Sequence, residues 1–301
     1  MLTYLQPALT PVHFFSHGST RMLSADTTSG KYWRKCGEEA LKHKVKGIII
    51  IGAHWECLGD KLQVATNPNP DKTPCPFSDP EDWIHWKPNP DVAGAERCVE
   101  LLAAEGYNVQ GNPTAEWHHD VFMPLIRMFP DASQCPPTVV LSSNARYDPH
   151  YHMKIGATLR RLRHEGYLFI GTGGAVHNLY RNRWTDMIRY RESLGQRQPP
   201  ESWALEFRQA TEDAITKNSG PDLRAALVRL MKHPAYREAH ATDEHFIPAL
   251  FCAGAAGDWE DYGSKNVLGA ESWELTNMCN SQYTLGEYGY SAWEGRGTAV
   301  P

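Results

Sequence analysis

Gly47-Ile48-Ile49-Ile50-Ile51-Gly52-Ala53-His54 decides the fold class of this chain. Four consecutive isoleucines without polar alternation suit a strand covered on both faces, the environment of a parallel sheet in an α/β protein. The run stops at Gly52 and opens onto His54, so a titratable side chain falls where the strand ends. Upstream, Val12-His13-Phe14-Phe15 is a second short apolar run, and it ends at Ser16-His17-Gly18. Between the two runs, Trp33, Cys36, Ala40 and Leu41 share one helical face over residues 32–44. The result is a strand-helix-strand unit of the length that a parallel crossover requires.

The alternation continues along the chain. Val92, Ala95, Val99 and Leu102 mark an amphipathic helix, and residues 138–142 and 167–171 read as buried strands separated by a helix over about 152–164. Trp203, Phe207, Ala210 and Ala214 keep helical spacing, residues 221–232 predict a further helix, and residues 244–252 predict another. The expected architecture is α/β, a central, mostly parallel sheet flanked by helices, with one catalytic domain over residues 1–257. Two stretches break the pattern. Residues 67–90 carry seven prolines and predict a long ordered loop, the kind that often covers a binding site. Residues 258–301, with Trp259, Tyr262, Trp273, Tyr283, Tyr288, Tyr290 and Trp293 among glycines, predict an irregular or edge-strand extension packed on the same domain. That aromatic surface also suits a homo-oligomer interface.

Composition narrows the function classes. Thirty Lys and Arg against 35 Asp and Glu give a net charge of −5, which argues against a phosphate-gripping nucleic-acid surface and favours a small-molecule partner. Met1-Leu2-Thr3-Tyr4-Leu5-Gln6-Pro7 lacks a basic and then apolar leader pattern, and no stretch reaches membrane-span length, so no membrane role and a cytoplasmic location are expected. Seven scattered cysteines without a Cys-x-x-Cys pair predict reduced, buried thiols.

Five histidines stand at seams between apolar runs and turns: His17, His54, His119, His177 and His245. Histidine is the commonest metal ligand and titrates near neutrality, so the set points to a metal centre with an acid-base partner. His17, His54 and His177 fall beyond strand ends, where open α/β sheets bind ligands. Gly18, Gly52 and Gly173-Gly174 beside them suggest backbone brought close to a ligand. Asp120 is the expected N-cap of a helix over Val121-Phe122-Met123-Pro124-Leu125-Ile126, leaving a neutral histidine at its positive end. Glu244 and His245 would open a helix and diverge by about 100°, so only one of them should face a shared site.

The motifs His17-Gly18-Ser19, Ala53-His54-Trp55, His119 with Ile126-Arg127-Met128-Phe129-Pro130-Asp131, His177-Asn178-Leu179 and Glu244-His245-Phe246-Ile247-Pro248 appear in one order. Together they resemble the LigB-type class III extradiol ring-cleavage dioxygenases, in their DOPA 4,5-dioxygenase branch, over roughly residues 12–255. The resemblance implies His17, His54 and His245 as metal ligands, His177 as the acid-base residue or a fourth ligand, and His119 as a hydrogen-bonding partner of substrate or dioxygen. It also implies Fe(II) as the working metal, with Zn(II) able to occupy the same imidazoles, and a catechol opened by O2 to a semialdehyde. Three positions depart from the family pattern: Thr20 stands where proline is usual, Asp120 where glycine is usual, and residues 75–83 replace a Gly-rich aromatic loop. A zinc hydrolase with Glu244 or His177 as base, and a non-catalytic member of the superfamily, are the competing readings.

Overall fold

The computed structural model describes residues 9–290. In chain order its elements are β1 (Val12–Ser16), α1 (Thr28–Lys42), β2 (Gly47–Cys57), β3 (Leu62–Ala65), α2 (Val92–Ala104), β4 (Val109–Asn112), α3 (His119–Met128), β5 (Thr138–Asn144) and α4 (Pro149–Leu159). There follow β6 (Tyr167–Gly173), α5 (Thr185–Tyr190), α6 (Ser202–Thr216), α7 (Pro221–Leu230), α8 (Tyr236–Ala239), α9 (Ile247–Ala256), β7 (Asn266–Glu274) and β8 (Met278–Leu285). The strands form one sheet in the order β4-β3-β5-β2-β6-β1-β8-β7. Its centre, β5-β2-β6-β1, is parallel, as the unbroken isoleucine run predicts.

Strand pleating sends successive side chains to opposite faces, and both faces are covered. Ile49 and Ile51 pack with Val139, Leu141 and Phe169 beneath α2, α4, α6, α7 and α9. Ile48 and Ile50 pack on the other face with Val140, Leu168 and Ile170, beneath α1 and α3. A two-sided core of this kind fixes the register of the central strands, and therefore where each one ends.

Of the irregular or edge-strand structure expected, residues 258–290 take the edge-strand form. They hold an antiparallel hairpin in which β8 pairs with β1 and β7 forms the sheet edge. Polar residues dominate the buried stretch of β8, namely Asn280, Ser281 and Gln282, so its composition resembles a surface loop. Each finds a partner: the Gln282 amide donates to the Ser16 carbonyl at 2.9 Å and accepts from the Trp33 indole N–H at 2.7 Å. Trp293 lies outside the described residues. No helix among the described residues is long and apolar enough to cross a membrane. All seven cysteines are free and buried.

Candidate metal centre

Parallel pairing of β2 and β1 on either side of β6 brings three strand ends to one edge of the sheet. His17 directly follows β1, His54 lies near the end of β2, and His177 lies four residues past β6. The backbone N–H of His17 donates to the Gly173 carbonyl at 3.0 Å, which prolongs the β1–β6 pairing as far as the histidine. His119 enters as the first residue of α3, and His245 comes from the turn before α9. All five histidines predicted from sequence therefore converge.

The rings are close enough to share one small occupant. Centroids lie 5.3 Å apart for His17 and His54, 5.2 Å for His17 and His245, 5.1 Å for His54 and His245, and 4.4 Å for His54 and His119. His177 stacks on His245 at 3.7 Å with the ring planes 10° apart. The Nε2 atoms of His17 and His54 are 3.3 Å apart. Ligand bonds of roughly 2.0–2.1 Å at a tetrahedral angle put two nitrogens about 3.4 Å apart, so this separation fits a shared cation. His17 Nδ1, His177 Nδ1 and His245 Nε2 are buried without a hydrogen-bond partner. His245 Nε2 is the orphan that an implied metal would satisfy, since His17 already offers Nε2 to the shared position, and the all-imidazole donor set suits iron or zinc.

Proximity of donor atoms alone selects a slightly different trio. Among the described residues, the ring nitrogens of His17, His54 and His119 all lie within 4.8 Å of one another, and His245 is not in that group. The partners of His245 favour it as a ligand nonetheless. Its Nδ1 donates to Glu244 Oε1 at 3.1 Å, which turns the orphan Nε2 inward. Carboxylates that orient metal-binding imidazoles act in this way.

Burial holds the imidazoles of His17, His177 and His245 well below the usual histidine range, and the neighbouring histidines push them further down. His119 is lowered to about 4, first by burial and then by His54. These four imidazoles are thus neutral at physiological pH, the state in which imidazole binds a metal or accepts a proton.

Three local expectations are corrected here. Asp120 is not the N-cap: His118 holds that position without a side-chain cap bond, and Asp120 is buried in the first turn of α3. Its Oδ2 accepts instead from the backbone N–H of His54 at 2.9 Å. Pairing of β2 with β5 breaks between Ile51 and Glu56, so His54 lacks a ladder partner and the carboxylate supplies one. Glu244 and His245 do not diverge on a helix, because α9 begins only at Ile247, with Pro248 in its first turn. The two are hydrogen-bonded to each other instead.

The glycines make room for protein rather than for a ligand. A Cβ on Gly52 would lie 2.1 Å from Asp120 Oδ2, and one on Gly173 would lie 2.1 Å from the His245 carbonyl. One on Gly18, at φ +66°, would lie 2.5 Å from Glu274 Oε2. Glu274 escaped the sequence reading altogether. Nothing in its local pattern marks it, since only the hairpin brings it against Gly18-Ser19.

Comparison with known proteins agrees with this arrangement. The family model described as the catalytic LigB subunit of aromatic ring-opening dioxygenase matches residues 11–286. A protein named 4,5-DOPA dioxygenase extradiol from Beta vulgaris is 30% identical over 90% of this chain and 94% of its own length. One of the same name from Escherichia coli (strain K12) is 27% identical over 81% of this chain and 84% of its own. The crystal structure of an uncharacterized protein from Escherichia coli K12 superposes with a TM-score of 0.72 at 25% identity, covering 92% of this chain and 100% of that one. Nearly the whole described fold, from β1 through β8, lies inside the matched span, and on that basis the chain belongs to the LigB family of ring-opening dioxygenases.

Proposed function

We propose that this protein is a non-haem, metal-dependent extradiol dioxygenase that opens the ring of a catechol-type substrate with O2 and yields a semialdehyde. The observation that carries the reading is the convergence of five histidines at one sheet edge, with His17 Nε2 and His54 Nε2 3.3 Å apart and His245 Nε2 buried and unpartnered. His17, His54 and His245 are assigned as the ligands, with Fe(II) as the working metal and Zn(II) as an occupant that binds without turnover. When bound, the metal supplies the redox and Lewis-acid chemistry that lets a diol and O2 react.

The remaining roles fall to the chain itself. His177 is neutral, buried and stacked on His245, and its free Nδ1 is placed to take a phenolic proton and return it during ring opening. The stacking holds the ring between the two transfers, and the backbone N–H of His177, donating to the Ala239 carbonyl at 2.9 Å, fixes the backbone that carries it. His119, at the first residue of α3 and 4.4 Å from the His54 ring, offers a hydrogen bond to an oxygen of the substrate or of O2. His54 is exposed while His17 is buried, so substrate approaches from the His54 side.

The test is anaerobic loading with Fe(II), followed by oxygen uptake and semialdehyde absorbance across a panel of substituted catechols. Uptake with at least one catechol, absent from the zinc-loaded protein, is expected. Iron-loaded protein that consumes no oxygen with any of them would sink the reading.

A further inference from the structure

Three carboxylates are buried among the described residues: Asp120, Asp261 and Glu274. Asp261 follows the usual rule for a buried charge, because Arg163 and Arg160 each approach it at 2.9 Å. Asp120 and Glu274 have no Lys, Arg or His ion-pair partner among the described residues. Both sit beside the histidine cluster, each one step from a strand-end histidine. Asp120 Oδ2 accepts from the His54 N–H at 2.9 Å, while its Oδ1 is buried without a partner. Glu274 Oε2 accepts from Ser19 N–H at 2.8 Å and from the Asn280 amide at 2.7 Å, and its Oε1 accepts from the Ser19 hydroxyl at 2.5 Å. Ser19 is two residues from His17.

Two fully buried carboxylates without an ion-pair partner among the described residues are costly. A divalent cation among the histidines would compensate them. We propose that Asp120 and Glu274 are the paired counter-charges of that cation, each also fixing the backbone beside one strand-end histidine; the inference rests on the metal reading above. Together with Glu244 on His245, they set negative charge against that of the ion where every assigned ligand is an imidazole. The positions of Gly52 and Gly18 support a built arrangement, since a Cβ at either would collide with the carboxylate it faces. The hairpin of β7 and β8 thereby gains a role, because both Glu274 and Asn280 belong to it.

Neutral isosteres separate charge from shape. In Glu274→Gln the amide oxygen keeps the Ser19 and Asn280 bonds, and the amide nitrogen can donate to a rotated Ser19 hydroxyl. In Asp120→Asn the oxygen keeps the His54 bond. The full-length chain, stripped by a chelator, is titrated with Zn(II) against a chromophoric competitor, and the metal-free forms are melted in parallel. Each variant should bind Zn(II) about 10–100-fold more weakly than the parent, while its metal-free form melts no lower. Charge-keeping Glu274→Asp should bind more tightly than Glu274→Gln. Affinities in both neutral variants within about threefold of the parent overturn the proposal, and so does a reversed order of Glu274→Asp and Glu274→Gln. A parent that binds neither Zn(II) nor Fe(II) instead refutes the metal reading on which it stands. Should Asp120→Asn fail to fold, the Glu274 series decides the matter alone.

Discussion

Glu244 Oε1 accepts the Nδ1 proton of His245 at 3.1 Å, so two adjacent residues form one unit in which the acid orients and the imidazole points inward. The competing assignment, a ligand set of two histidines and a carboxylate, would require Glu244 itself to turn into the cluster. The observed bond opposes that. Glu244→Gln should keep its metal through dialysis with affinity lowered by about 10–100-fold, and His245→Gln should come out metal-free. Elemental analysis of both proteins checks this, and the opposite pattern would transfer the ligand role to Glu244.

His177 and His119 are predicted to act on protons and oxygen rather than to hold the metal. His177→Ala should retain metal and bind catechol, with kcat lowered by about 10²–10⁴-fold. His119→Ala should likewise retain metal. Because His119 is a member of the tightest trio of ring nitrogens, metal loss in His119→Ala with retention in His245→Gln would exchange their roles. Steady-state kinetics alongside metal content distinguishes these outcomes.

Much of the fold is legible in the sequence because the central strands are uniformly apolar. Ile48 to Ile51, Val139 to Leu141 and Leu168 to Ile170 carry their burial in their composition. The hairpin is not legible for the converse reason: Gln282 and Glu274 are buried polar groups whose partners lie on β1, α1 and the loop after His17, while buried Asn280 and Ser281 bond across the hairpin to Glu274 and Glu271. The five histidines are legible as motifs, but the acids that support them are not, because burial of Asp120 follows from a break in the β2–β5 ladder 66 residues away. One missed boundary did leave a signal. Pro248 favours the first turn of a helix, which starts α9 after His245 rather than before it.

Gly173 couples the sheet to the turn that carries His245. Its carbonyl accepts from the His17 N–H, and Gly174 N–H donates to the His245 carbonyl at 2.8 Å. A Cβ at position 173 would lie 2.1 Å from that same carbonyl, which is backbone and cannot swing aside. Gly173→Ala should therefore displace His245 and cost about 1–3 kcal/mol of stability. The gain in melting temperature on adding Zn(II) should also shrink relative to the parent. An unchanged gain would show that the metal tolerates the displacement.

His152 makes a separate prediction about acid stability, away from the metal. It is fully buried on α4, with Nδ1 donating to the Asp148 carbonyl at 2.7 Å and Nε2 accepting from the Asn144 N–H at 2.9 Å. Burial lowers it to about 4, and the Asp148 carbonyl offsets only part of that. A second proton would have to sit on Nε2, facing an N–H donor. Because the folded value lies below the unfolded value of about 6.5, the unfolded chain binds more protons between these limits, and stability rises with pH. The contribution is complete above pH of about 6.5 and is lost as pH falls towards 4, amounting to about 2 kcal/mol between pH of about 7 and 5. His152→Gln can keep one donor and one acceptor without titrating, so it should be less stable than the parent at neutral pH yet lose less on acidification. Urea unfolding of the metal-free proteins at the two pH values measures the difference, and parallel losses in both would show that His152 does not drive the acid sensitivity.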